Sequence, residues 1–370
     1  MWWAGGHYPS TSKTIVEVET DQGLVGLGEA PSIDVVDTIR AMGERLIGVD
    51  AGDIAGCESL CVPPWQIVQN TDDSSVVKAF GAIEMALWDL RGKVADEPLY
   101  RMLGGAVRKD IPFTEYFGFR TGGEMSPEAI ADYCVAMREE NGSTMFEGKL
   151  ILGDPKLEID TVKAIRAALG PDAMIRLDSN MQWSLPTAIR LFREIEPYDI
   201  RNYEDPVATF EDMAELRRHS SIRMSTHVPD IRRAVALGAP DYIVTNFPVL
   251  GGIARAVRFI GACEAMGIGF WCYSGDAGIA TAAYLHMSAA MPWITEPSQS
   301  LFRWQVGDVI QGGPFRQTNN TVRVPEGPGL GVTLDAKALA HWHAHLVENG
   351  PLDHFHNPSM PGRFNRLPLN

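Results

Sequence analysis

The chain has 370 residues, 45% of them hydrophobic and 21% charged, with a formal net charge of −15 and a pI near 5.0. That length suits a barrel plus one smaller domain, and the composition is that of an ordinary globular protein, neither fibrous nor disordered. The acidity argues against nucleic acid and anionic membrane as partners, so an anionic substrate would need a local positive site such as a metal.

The first residues, Met1-Trp2-Trp3-Ala4-Gly5-Gly6-His7, lack the apolar core of a signal peptide, and no uninterrupted run of about 18 apolar residues follows. Five cysteines (Cys57, Cys61, Cys134, Cys263, Cys272) are odd in number and scattered, mostly within apolar runs. They read as reduced core thiols of a cytoplasmic protein. Cys57 and Cys61 lie four apart, with no second pair nearby to complete a zinc site.

Residues 13–20 alternate in polarity, Asp21-Gln22-Gly23 makes a turn, and Leu24–Leu27 returns, predicting a hairpin that closes at Gly28-Glu29. From Ser74 to Leu90, the residues Val76, Val77, Phe80, Ile83, Leu87 and Leu90 fall at helical spacing. Together they predict an α+β domain over residues 1–108. No cap strand is evident ahead of the hairpin, which implies either a late start or an abbreviated cap.

From Ile111 the pattern becomes regular. Strand-like runs at 111–117, 144–150, 173–178, 200–204, 222–226, 241–246 and 268–273 alternate with helical stretches. Several of these helices open with a capping side chain beside a proline: Ser126-Pro127-Glu128, Asp154-Pro155, and Ser184 before Leu185-Pro186. Seven βα units, with a weaker eighth strand around Trp293–Thr295, predict an α/β modified (β/α)-barrel over 109–334. A strand at Thr321–Val324, a helix near Ala336–Glu348 and a tail rich in Pro, Asn and Arg follow. The last stretch, His354 to Asn370, is expected to run over the surface or back toward the first domain, to which residues 335–370 are expected to contribute.

The strands of a parallel barrel end at one mouth, so residues far apart in sequence converge there. Lys149, Asp178 and Glu204 each close such a strand, 29 and 26 residues apart. An amine and two carboxylates are thus expected around one cavity.

The segment Ala82-Ile83-Glu84-Met85-Ala86-Leu87-Trp88-Asp89-Leu90-Arg91-Gly92-Lys93, continuing to Leu103-Gly104-Gly105, resembles the hallmark helix of the enolase superfamily, mandelate racemase-like branch. The runs Leu177-Asp178-Ser179-Asn180-Met181-Gln182-Trp183-Ser184-Leu185, Tyr203-Glu204-Asp205-Pro206 and Pro328-Gly329-Leu330-Gly331-Val332 are most similar to glucarate dehydratases and their relatives. The resemblance extends from about Thr14 to Leu334. It implies an α+β cap over a modified barrel, one Mg²⁺, and abstraction of the proton α to a substrate carboxylate by a base, giving a metal-stabilised enediolate.

On that resemblance Asp178 and Glu204 match the first two metal ligands, hard oxygen donors suited to Mg²⁺. The third position, where the family offers Glu, Asp or Asn, falls in Met224-Ser225-Thr226-His227-Val228-Pro229-Asp230. Either His227 is a nitrogen ligand, which would make the site Mn²⁺-tolerant, or it sits beside the site while Asp230 or a water completes the shell. Lys149 matches the second lysine of the family's Lys-x-Lys motif, the base, and Glu147 stands where the first lysine would be. Both point to the same side of a strand, so Glu147 is expected to pair with Lys149 and raise its pKa.

Where relatives carry a His–Asp pair on the opposite face, this chain has Tyr273 and Asn246. A tyrosine without a carboxylate partner is a poor base near pH 7 but can donate a proton or a hydrogen bond. One competent base favours β-elimination from an acid sugar over epimerisation. An isomerase (epimerase or lactone cycloisomerase) is the alternative, and a metal- and acid-binding protein without turnover is a third reading. Substrate contacts are expected from Glu147, Asn180, Asp276 and Tyr116, with Phe119 and Arg120 beside it. Trp2, Trp3, His7 and Tyr8 lie where the family's mobile loop falls. A small carboxylate substrate and a homo-oligomer are the expected partners.

Overall fold

The computed structural model describes residues 2–3, 6–7, 10–64, 74–118, 126–149, 154–273, 276–299 and 301–351. Trp2–Trp3 (β1) pairs with Gly6–His7 (β2) ahead of the expected hairpin, Thr14–Glu19 (β3) with Val25–Ala30 (β4). Gly23 takes the turn at φ +78°. Gly26 and Gly28 let helix Ser75–Ala95 lie directly on β4, since a Cβ at either would come within 2.1 Å of the Ala86 or 2.0 Å of the Ala82 carbonyl oxygen. Helices Val36–Leu46 and Ile54–Cys61 cover the far side, burying Val16, Met42, Ile54, Phe80, Ile83 and Leu87 together.

The run expected over 111–117 divides. Asp110–Pro112 (β5) leaves the barrel to pair antiparallel with a late strand, and Glu115–Gly118 (β6) begins the barrel itself. The following strands are Met145–Lys149 (β7), Met174–Asp178 (β8), Asn202–Glu204 (β9), Met224–Thr226 (β10), Tyr242–Thr245 (β11) and Gly269–Cys272 (β12). All seven are parallel and paired in sequence order. The partner of β5 is Thr321–Arg323 (β13).

The eighth strand does not form at Trp293–Thr295. There Trp293 donates its indole N–H to the Ile268 carbonyl at 2.7 Å, and Ile294 is buried in the outer apolar layer. The barrel is closed a few residues later, by single bridges of Ser298 to Phe113 and of Gln299 to Tyr273. Pro292 and Pro297 flank the expected site and supply no N–H to a ladder.

Two of the three expected caps form: Ser126 accepts from the Ala129 amide, and Asp154 from the amides of Lys156 and Leu157. The Ser184 hydroxyl instead donates to Thr187 Oγ1. All five cysteines are free and buried. Among the described residues no helix is long and apolar enough to cross a membrane. Helix Ala336–Asn349 sets Trp342 against Gly307, where a Cβ would lie 2.3 Å from the indole, and the tail from 352 lies outside the described residues.

Candidate functional site

The register of β7, β8 and β9 places Lys149 opposite Asp178 and Asp178 opposite Glu204. Lys149 Nζ lies 2.5 Å from Asp178 Oδ2. Asn180 holds the other side of that carboxylate, through its backbone N–H at 2.8 Å and its side-chain amide at 3.0 Å. Burial alone would lower the Lys149 pKa, but Asp178 and Glu204 overcome it and hold the amine protonated, above its ordinary value. Glu204 is pushed well up by burial and then by Asp178, Asp205 and Glu147. Its Oε2 is buried and, among the described residues, has no hydrogen-bond partner.

Asp205 joins this group. Thr226 donates to its Oδ1 at 2.7 Å, and His227 Nδ1 bonds its Oδ2. Glu204, Asp205 and His227 bring their donor atoms within 4.8 Å of one another. The Asp205 bond raises the His227 pKa against the effect of burial, and the imidazole remains 49% exposed. Sequence alone named Asp205 only as part of a motif, because strand alternation turns it away from Glu204. A left-handed backbone at Asp205, φ +45°, breaks the alternation, and Asn180 and Met181 at φ +46° and +61° share that strained conformation at the same mouth. Asp230 is drawn off as the N-cap of helix Ile231–Leu237, accepting from the Arg233 amide.

On the other side, Asn246 Nδ2 donates to Tyr273 Oη at 2.8 Å. The amide orientation is fixed, because Asn246 Oδ1 accepts the Val249 N–H at 3.1 Å. Burial, then Asp276 and Glu204, push the Tyr273 phenol far up. Tyr116 is buried edge-on to Trp304, its phenol raised by burial and then by Asp178.

Glu147 does not pair with Lys149. It lies one layer deeper, where Arg176 reaches it at 2.5 Å and Thr114 and Gln299 complete its shell at 2.9 and 3.1 Å. Asp276 is also engaged, by Lys13 and Tyr284, each at 2.6 Å. Phe119, Arg120, Tyr8 and the side chains of Trp2, Trp3 and His7 lie outside the described residues.

Residues 129–338 match the family model described as enolase C-terminal domain-like, and residues 6–104 match the mandelate racemase / muconate lactonizing enzyme N-terminal domain. This chain belongs to the enolase superfamily. As a superfamily enzyme it is 26% identical to a probable glucarate dehydratase of Streptomyces coelicolor, over 93% of this chain and 88% of that protein. It is 27% identical to a chloromuconate cycloisomerase of Pseudomonas putida, over 90% and 91%. A solved Pseudomonas fluorescens enolase with bound magnesium, potassium and tartrate superposes with a TM-score of 0.85 at 25% identity, covering 95% of this chain and 90% of that one.

Proposed function

We propose that this protein is a Mg²⁺-dependent dehydratase of an acid sugar, with Lys149 as the base and Tyr273 as the proton donor. The observation that carries the reading is the asymmetry of the site. A lysine set among carboxylates faces a tyrosine whose partner, Asn246, is an amide and not an acid.

The residues fit a hard divalent cation. Asp178 and Glu204 would hold it, with His227 or Asp205 completing the set, and the buried, unpartnered Oε2 of Glu204 is the oxygen such a cation would satisfy. A nitrogen donor from His227 keeps Mn²⁺ in play. When bound, the cation supplies the charge that stabilises an enediolate and offsets the carboxylates that now hold Lys149 protonated.

On this reading Lys149, relieved of its proton, takes the α proton of a substrate carboxylic acid. Tyr273 accepts from Asn246, which leaves its own hydroxyl hydrogen without an acceptor among the described residues. Its raised pKa keeps it a donor at neutral pH, which suits assistance to a departing hydroxide and disfavours a second base. Asn180 orients Asp178, and Tyr116, Arg176 and Glu147 are buried. We place the enzyme in the reducing cytoplasm as a homo-oligomer acting on a small carboxylate.

Similarity to the cycloisomerase supports an isomerase as the second reading. Proton NMR in D₂O with Mg²⁺ and a panel of mono- and diacid sugars separates the two. Loss of the α-proton signal with a 2-keto-3-deoxy product is expected; exchange that yields an epimer or a lactone would replace the dehydratase with the isomerase.

A further inference from the structure

Two cap-domain carboxylates reach into the barrel and take no part in the chemistry above. Glu29, on β4, accepts the N–H groups of Ala277 at 2.7 Å and Ala280 at 2.9 Å. Glu84, on helix Ser75–Ala95, accepts those of Ile253 at 2.7 Å and Ala254 at 2.8 Å, with the Trp88 indole on the same carboxylate. Both are almost fully buried, at 1% and 2% exposure. Buried carboxyl groups are costly unless their oxygens are paired, and here all four oxygens face N–H donors.

These amides are the N-termini of helices Gly278–Ala290 and Ile253–Met266, whose own N-cap residues, Ala277 and Gly252, make no side-chain cap bond. Orphan N–H groups that a helix normally satisfies locally are satisfied from the other domain. The approach is close: Gly252 sits at φ +112°, and a Cβ there would lie 2.5 Å from Glu84 Oε2. Gly26 and Gly28 let β4 pack closely on helix Ser75–Ala95, so Glu29 and Glu84 come from two directly packed elements.

The two capped helices come after β11 and β12, the strands that run directly into Asn246 and Tyr273. Tyr273 is four residues from Ala277, and Asn246 is joined to Gly252 by the short helix Phe247–Leu250. A third tie, Lys13 to Asp276, lies directly ahead of Ala277. The Lys149, Asp178 and Glu204 half receives none of these cap-domain carboxylates among the described residues.

We propose that Glu29 and Glu84 are positioning residues which, from the capping domain, fix the starts of the two barrel helices that come after Asn246 and Tyr273, and so set Tyr273 against Asn246. The inference rests on the reading of Tyr273 as proton donor. It makes docking of the cap and assembly of the donor side of the site a single event, while the base side forms within the barrel.

The test uses full-length Glu29→Gln and Glu84→Gln, with Glu211→Gln, an exposed partner of Arg233, as control. Hydrogen–deuterium exchange is read by mass spectrometry on peptides spanning 251–257 and 276–282. Glu84→Gln is expected to speed exchange about tenfold in the first peptide only, and Glu29→Gln in the second only. On the acid found by the NMR panel, both variants should keep α-proton exchange and lose about tenfold in product formation, and neither should add to Tyr273→Phe. Unchanged local exchange, or a rise spread evenly over the chain, overturns the proposal. So does local loosening that leaves the ratio of exchange to product as it was. A silent acid panel counts against the dehydratase reading, while the amide-exchange result still decides whether the cap carboxylates hold these helix ends.

Discussion

Lys149 and Asp178 meet at 2.5 Å across the β7–β8 register, so the candidate base and the first candidate metal ligand neutralise each other in this structure. The arrangement ties the readiness of one to the engagement of the other. Lys149→Ala should abolish α-proton exchange and leave binding of Mg²⁺ within a few-fold of the parent, measured by NMR and by calorimetry. Exchange retained in that variant would remove Lys149 from the role of base.

Tyr273→Phe separates the two faces. Exchange by Lys149 should persist while product formation falls by about 10²-fold, the lower end of what a positioned acid contributes. Equal loss of both would mean that the tyrosine serves binding or packing and not proton donation.

His227 divides the two metal expectations. Its Nδ1 is committed to Asp205, so a ligand role would use the other ring nitrogen. Replacing it by Asn restores an oxygen donor, and His227→Asn should cut Mn²⁺ affinity about tenfold while sparing Mg²⁺, read by competition calorimetry. An identical loss for both ions would place His227 beside the site as a support for Asp205.

Much of this was legible from residue order. The hairpin turn at Asp21-Gln22-Gly23, the helical spacing of Val77, Phe80, Ile83 and Leu87, and seven strand runs with caps are local signals, and they specify the barrel and its mouth. Depth along a strand is not local. Glu147 and Lys149 share a face, as alternation demands, yet two residues of rise put Glu147 in the layer of Arg176, whose guanidinium stacks 4.4 Å over Trp271. The closing bridges at Ser298 and Gln299 are too short to carry a period, and Glu29 reads as the close of a hairpin and Glu84 as a motif glutamate until the helix ends they cap are in view.

The Glu147–Arg176 pair yields a stability prediction. Both side chains are 1% exposed, and removing one partner strands the other charge. Glu147→Ala should cost about 3–5 kcal/mol in urea unfolding, and Glu147→Leu combined with Arg176→Met should recover most of it. If the single variant costs under about 1 kcal/mol, the pair is not the structural plug that its geometry describes.

His286 yields a pH prediction. It is fully buried on helix Gly278–Ala290, where Nδ1 accepts the Tyr100 N–H at 3.3 Å and Nε2–H donates to the Leu330 carbonyl at 3.1 Å. That pair of bonds requires the neutral ring, and burial pushes its pKa down to about 4. The unfolded chain, with an ordinary histidine near 6.5, therefore binds more protons than the folded one between about pH 4 and 6.5. Stability contributed by this group is present in full above about pH 6.5 and is lost as the pH falls toward 4, with a slope approaching about 1.4 kcal/mol per pH unit. Urea unfolding of the parent and of His286→Asn at pH 7 and pH 5 should show the parent losing about 2 kcal/mol more than the variant. Parallel losses would mean that the acid sensitivity lies elsewhere than His286, and not in Glu29 or Glu84, whose raised pKa values act with the opposite sign and stabilise the fold as the pH falls.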